Sequence, residues 1–190
     1  MGKGGEREWC RIKLRGRERR EGMVRVDIPG YEVQEKVELP AETTALIVVD
    51  MQNDFAREGG SLYVPSTREI LPRLEALLDR ARRKGVLVIF TQDWHQENDP
   101  EFALWPVHCV ENTEGAEIVK EIQPLPSEMV IKKLRYDAFY GTSLEHILRW
   151  KKIGTVVVTG TVANICVLHT AGSAALRWFQ VVVPGDAVAP

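Results

Sequence analysis

Thr155-Val156-Val157-Val158-Thr159-Gly160-Thr161-Val162-Ala163-Asn164-Ile165-Cys166 is the stretch on which the reading of the fold turns. Its first five residues are β-branched throughout, and a run apolar on both faces marks a buried parallel strand rather than an edge strand. After Gly160 the period changes, with Ile165, Leu168, Ala171 or Gly172, Ala175, Leu176 and Phe179 recurring at helical spacing. The pattern predicts a strand, a tight turn and a helix, with Cys166 in the helix's first turn. Unpaired N–H groups and the positive end of a helix dipole would lower the thiol pKa there from its free value of about 8.5. The same N–H groups suit a developing oxyanion. A small buried apolar cysteine is the competing reading of that residue.

The units on the N-terminal side alternate in the same way. Ala45-Leu46-Ile47-Val48-Val49 reads as a buried strand ending at Asp50. Ser66-x-x-Glu69 has the form of a capping box. The helix it opens carries Ile70, Leu71, Leu74, Leu77, Leu78 and Ala81 on one face and ends at Lys84-Gly85. Val86 to Thr91, Met129 to Lys132 and Val181 to Val183 supply three more strands, and Thr142-x-x-Glu145 caps a helix through Trp150. The long connection over residues 92–127 reads as a functional loop with one short helix near Ala116–Glu121. Repeated β-α units imply an α/β fold: a single domain built on a doubly wound parallel sheet with helices on both faces. Such a sheet ordinarily adds a covering helix after its fifth strand, so an end at Pro190 reads as a C-terminal truncation.

Residues 1–23 stand apart. They hold eight basic and four acidic side chains with few apolar residues and no period, the composition of a disordered basic arm rather than of a nucleic-acid-binding element. Met23 opens more ordinary sequence, and Val24 to Ile28 alternates as an added edge strand or arm would. The domain is accordingly placed at residues 24–190.

Composition excludes several classes. The 190 residues carry 44% hydrophobic side chains and a net charge of −2, ordinary for one globular domain and offering no case for nucleic acid. Three scattered cysteines, Cys10, Cys109 and Cys166, imply no disulfide framework. No apolar run approaches the roughly 20 residues a membrane span needs, and no secretory h-region is evident. A cytoplasmic protein without a membrane partner is expected.

In an open parallel sheet, ligands bind beyond the carboxyl ends of the strands. Those ends deliver Asp50, then Asp93 and His95, then Lys133, then Cys166. Cysteine, aspartate and lysine at one rim make a nucleophile, a general base and a cation that keeps the base ionised.

Five ordered stretches then resemble the nicotinamidase/isochorismatase-like cysteine hydrolases. Leu46 to Phe55 is similar to the family's opening motif, and Thr91-Gln92-Asp93-Trp94-His95 to its second-strand metal motif. Trp105-Pro106-Val107-His108-Cys109 matches its later histidine, Lys133 to Thr142 its lysine segment, and Gly160 to Ala171 its nucleophile turn. The resemblance covers residues 40–190 and implies a triad of Asp50, Lys133 and Cys166. It also implies oxyanion donors at the backbone N–H groups of Val162 and Cys166, and a non-proline cis peptide at Thr161-Val162. Phe55 and Trp105 would wall the substrate pocket. Ala163 departs from the threonine that many members carry.

Asp93, His95 and His108 offer one carboxylate and two imidazoles, a donor set for a divalent metal with positions left open. By the resemblance that metal is zinc, with iron or manganese as alternatives, and it holds the ring of nicotinamide. The implied reaction converts nicotinamide to nicotinate and ammonia through a thioester, as in NAD salvage, in a homo-oligomer acting on a small-molecule amide. A carbamoyl or ureido-compound amidase without a required metal is the nearest alternative. A non-haem iron site or a binding module would each leave the Cys-Asp-Lys set idle. His146, His169 and Cys109 carry no assigned role.

Overall fold

Strand β1 (Thr44–Val49) is buried along its whole length, and its alternating side chains feed two separate cores. Leu46 and Val48 point to one side, where they meet Ile70, Leu74, Leu78 and Ala81 of helix α2 (Thr67–Lys84). Ala45, Ile47 and Val49 point to the other. There they pack with Leu144 and Leu148 of α3 (Leu144–Trp150) and with Val167 and Ala174 around α4 (Leu168–Leu176). A period of two on a strand covered by helices on both faces is what a doubly wound sheet requires. Helix α1 (Asn53–Ala56) is a single turn directly after β1. The computed structural model describes residues 32–190; the basic arm of residues 1–23 and the alternating segment from Val24 to Ile28 lie outside them.

Among the described residues all strand pairs are parallel. The order is β3-β2-β1-β4-β5, with β2 spanning Leu87–Asp93, β3 Met129–Lys133, β4 Thr155–Thr161 and β5 Gln180–Val182. A two-residue strand, β6 (Val188–Ala189), pairs with Gly160 and Thr161 of β4. It is too short to leave a sequence pattern. The order reverses between β1 and β4, which lie in register from Thr44↔Thr155 to Val49↔Gly160. That switch point places the exit of β1 beside the exit of β4 and opens a crevice between them.

Three local expectations are corrected. Ser66 makes no cap to α2; its hydroxyl donates to the Pro190 carbonyl at 3.3 Å, while Thr67 Oγ1 donates to Val64. No helix forms over Ala116–Glu121. The segment has two 3₁₀ turns, Glu114–Ala116 and Lys120–Ile122, because the chain leaving β1 claims its backbone: Asn53 N–H bonds Glu117 O and Val119 N–H bonds Met51 O. The helix after β4 starts with a π-turn, Ala163–Val167, in which Val167 N–H reaches back to Val162 O. Among the described residues no helix is long and apolar enough to cross a membrane.

Gly160, the next-to-last residue of β4, has φ near +102°, and a Cβ there would lie 2.1 Å from the Val49 carbonyl oxygen. Both the backbone angle and the space exclude a side chain. Gly160→Ala is expected to cost about 3 kcal/mol or more, a drop of roughly 6–12 °C in melting temperature, read by thermal denaturation.

Candidate active site

The four strand exits converge. Asp50 follows β1 directly at φ near +48°, fully buried. Its N–H bonds the Thr91 carbonyl at 3.3 Å, and the Thr91 hydroxyl donates to its Oδ1 at 2.6 Å. Lys133 ends β3 in register with Asp93 at the end of β2. Its side chain passes beneath β2, so that Nζ sits 2.7 Å from Asp50 Oδ2 and also bonds Asp93 Oδ1. The ion pair to Asp50 Oδ2 is not aligned as a hydrogen bond, so that oxygen keeps an open acceptor direction. Cys166 Sγ lies 3.8 Å from Lys133 Nζ, and within 4.8 Å of carboxylate oxygens of both Asp50 and Asp93.

Burial and charge set the protonation states. Desolvation raises the Asp50 carboxyl to about 6; the Lys133 ammonium opposes the rise and the Asp93 carboxylate adds to it. Burial also acts against Asp93, but the Lys133 ammonium overcomes it and holds that carboxyl below its usual range. Lys133 stays charged because two carboxylates outweigh its desolvation. Cys166 reverses the sequence expectation. Only 5% exposed, its thiol is pushed well above the ordinary value by burial and by Asp50 and Asp93, against the pull of Lys133. At rest it is a neutral thiol, not a helix-stabilised thiolate.

Asp93, His95 and His108 form a second buried cluster that shares Asp93 with the first. Their ligand atoms lie within 4.8 Å of one another. Asp93 Oδ2 is 3.9 Å from His95 Nε2 and 4.0 Å from His108 Nε2, too long for hydrogen bonds. His95 Nε2 is buried with no partner. His108 Nδ1 bonds the Pro106 carbonyl at 2.7 Å, which puts its proton on Nδ1 and leaves the Nε2 lone pair facing the cluster. An orphaned imidazole nitrogen, a second oriented imidazole and a carboxylate oxygen directed at one point fit a divalent cation. Trp94 packs against the small core of Phe55, Cys109 and Ala116 and carries Lys132 over its ring at 3.4 Å.

A cavity of about 310 Å³ runs between the clusters. Phe55, Trp105 and Ile165 line it with apolar surface, and Asp93, His108 and Cys166 line it with the polar groups just described. Val162, whose peptide bond to Thr161 is cis, and Asn164 are also in its wall. Sequence reasoning missed three residues here. Tyr136 lines the cavity, and its hydroxyl accepts a 2.7 Å bond from Trp105 Nε1. Glu101 also lines it, with Oε2 buried and accepting no hydrogen bond. Gln52 clasps Asp93 from β1's exit: its Oε1 accepts from the Asp93 N–H and its Nε2 donates to the Asp93 carbonyl, both at 2.8 Å. Tyr136 and Gln52 sit inside the motif stretches, which is the signal that would have found them. His146 is exposed, His169 is exposed and bonds Ile165 O, and Cys109 is buried beside Asp54.

The family model of the isochorismatase domain matches residues 44–190. Among solved structures, N-carbamoylsarcosine amidase from Thermoplasma acidophilum is 38% identical at a TM-score of 0.74, covering 78% of this chain and 84% of that one. Nicotinamidase PncA from Bacillus subtilis is 37% identical at 0.72, covering 77% and 86%. Pyrazinamidase of Pyrococcus horikoshii, solved in complex with zinc, is 38% identical at 0.73, also covering 77% and 86%. A match over the whole sheet and its rim, at more than a third identity to solved amidases, places this chain in the isochorismatase family, as a cysteine amidohydrolase.

Proposed function

We propose that the protein hydrolyses nicotinamide to nicotinate and ammonia, with Asp50, Lys133 and Cys166 as its catalytic residues. The observation that carries this reading is one cavity, walled by Phe55 and Trp105, with a thiol on one side and, on another, Asp93 and His108, which cluster with His95 as a donor set. An aromatic carboxamide needs both ends. The similarity to a nicotinamidase and to a zinc-bound pyrazinamidase supports the choice.

Cys166 Sγ attacks the amide carbonyl carbon as its proton passes to Asp50 Oδ2, the oxygen with the open acceptor direction. The backbone N–H groups of Val162 and Cys166 hold the oxyanion. Asp50 returns the proton to the departing nitrogen, ammonia leaves, and a thioester remains on Cys166. Asp50 then takes a proton from water as it attacks the thioester, and returns that proton to Cys166 Sγ as the C–S bond breaks and the acid is released. Lys133 keeps Asp50 ionised between these transfers. Asp93, His95 and His108 would hold a divalent ion, zinc before iron or manganese, which supplies a Lewis-acid anchor for the ring nitrogen. A carbamoyl amidase is the second reading, favoured by the equal similarity to N-carbamoylsarcosine amidase.

Cys166→Ala should abolish turnover without loss of fold, and mass spectrometry during turnover should find an acyl adduct on Cys166 and none on Cys10 or Cys109. Retained activity in that variant would sink the mechanism.

The acid limb of kcat/KM should fall near pH 6. Asp50 accepts a proton only when ionised, so the rate drops about tenfold per pH unit below its raised pKa of about 6 and levels off above it. Lys133→Met removes the cation that opposes desolvation, so the limb should move to higher pH. An unmoved limb would make Lys133 a bystander.

Chelation should raise the KM for nicotinamide far more than it alters alkylation of Cys166, and added zinc should reverse it. Metal-free protein with an unchanged KM would refute the ring anchor. Turnover of a carbamoyl compound alone, insensitive to chelator, would establish the second reading instead.

A further inference from the structure

His95 is held by two residues that the proposed chemistry leaves unused. Asp99 is buried and precedes the 3₁₀ turn Pro100–Ala103; its Oδ1 accepts the Glu101 N–H at 2.9 Å. Its Oδ2 lies 3.1 Å from His95 Nδ1. Arg135 closes the arrangement from the other side. Its NH1 is 3.1 Å from Asp99 Oδ1, 3.2 Å from Oδ2 and 3.5 Å from Glu101 Oε2.

A carboxylate can only accept, so its contact with Nδ1 puts the ring proton there. The lone pair is then on Nε2, the buried atom with no protein partner, 3.9 Å from Asp93 Oδ2. Without that contact the ring is free to carry its proton on Nε2 or to rotate, and the donor is lost. Asp99 needs its own support, because its exposed alternative is to turn to solvent. Arg135 supplies it, and it does so from two residues beyond Lys133, on the same strand exit.

We infer that Asp99 and Arg135 are positioning residues of a divalent-cation site: Arg135 clamps Asp99, and Asp99 fixes His95 with its Nε2 lone pair turned towards Asp93 and His108. This rests on the metal reading proposed above. Carboxylate partners of metal-binding histidines fix the tautomer, and their removal typically lowers metal affinity about 10- to 100-fold. The competing role is mechanical: the same contacts pin the long loop after β2 to the exit of β3. That role predicts lost stability of the metal-free protein rather than lost affinity.

The test is a zinc titration of the full chain, freed of metal, in competition with a chromophoric chelator. Melting temperature of the metal-free protein and alkylation of Cys166 are followed in parallel. Asp99→Ala should weaken zinc about 10- to 100-fold. Asp99→Asn and Arg135→Met should weaken it less and in the same direction, and Arg135→Lys should recover most of the loss. Any fall in melting temperature of the metal-free protein should not track the loss of affinity across the variants, and alkylation should stay at the parent value. Zinc affinity within twofold of the parent in both Asp99 variants would overturn the inference. So would a loss of affinity matched, across the four variants, by a fall in melting temperature of the metal-free protein. A parent chain that binds no zinc would overturn the metal reading itself, and the inference with it, a result no variant can imitate.

Discussion

A lysine ammonium buried between two aspartates is the constraint around which the rest is built. Lys133 has no exposed side-chain surface and neither does Asp50, while Asp93 is nearly as enclosed. Each charge alone would cost several kcal/mol to bring out of water, and removing one member of such a pair typically costs about 3–5 kcal/mol. The arrangement survives only if three neighbouring strands end at the same level. The registers do this: Asp93 stands opposite Lys133, and β1, in register with β2 from Ala45↔Leu87 to Val48↔Phe90, delivers Asp50 directly after its last residue. β4 reaches the same level from the other side of the switch point, turns at Gly160 and brings Cys166 over the ammonium. Central strands buried on both faces cannot slide without exposing a core, so the sheet holds the charges in place.

Asp93 divides its two oxygens between two tasks. Oδ1 pairs with Lys133, and Oδ2 faces His95 and His108. The two clusters are therefore electrostatically coupled through one carboxylate. Its charge raises Asp50 and the Cys166 thiol, and anything that draws on Asp93 relaxes both. Gln52, with one amide oxygen and one amide nitrogen spent on Asp93's backbone, fixes the residue whose side chain has no freedom to spare.

The strands were legible because they are short β-branched or aliphatic runs bounded by polar residues. Asp50, Asp93, His95, Lys133 and Cys166 were legible because the chain places them one after another at strand exits. What the sequence hid depends on distance and burial. The capping box at Ser66 failed because the Pro190 carbonyl, 124 residues away, takes its hydroxyl. The short helix near Ala116 failed because the exit of β1 binds that backbone in an extended form. Glu101 and Asp99 lie in a loop with no period, where only the fold tells a buried carboxylate from a solvated one.

The thiol is the most instructive of these cases. A helix start predicts an acidic cysteine, but the dipole effect is worth roughly 0.3–1 kcal/mol at exposed sites. Near-complete burial beside two carboxylates works the other way and is larger, so the thiol of Cys166 keeps its proton. Lys133 then has a different part from that of thiolate maker. It holds Asp50 at about 6, low enough for the carboxylate to be ionised at neutral pH and high enough to accept a proton when one is offered. On the proposed mechanism the thiol would become nucleophilic only as its proton leaves, when a carbonyl is in place to receive the sulfur. A resting thiolate would also react with oxidants, whereas a neutral, buried thiol does not. On the proposed mechanism, selectivity for an amide bound in the cavity would follow from the same burial that makes the isolated cysteine inert.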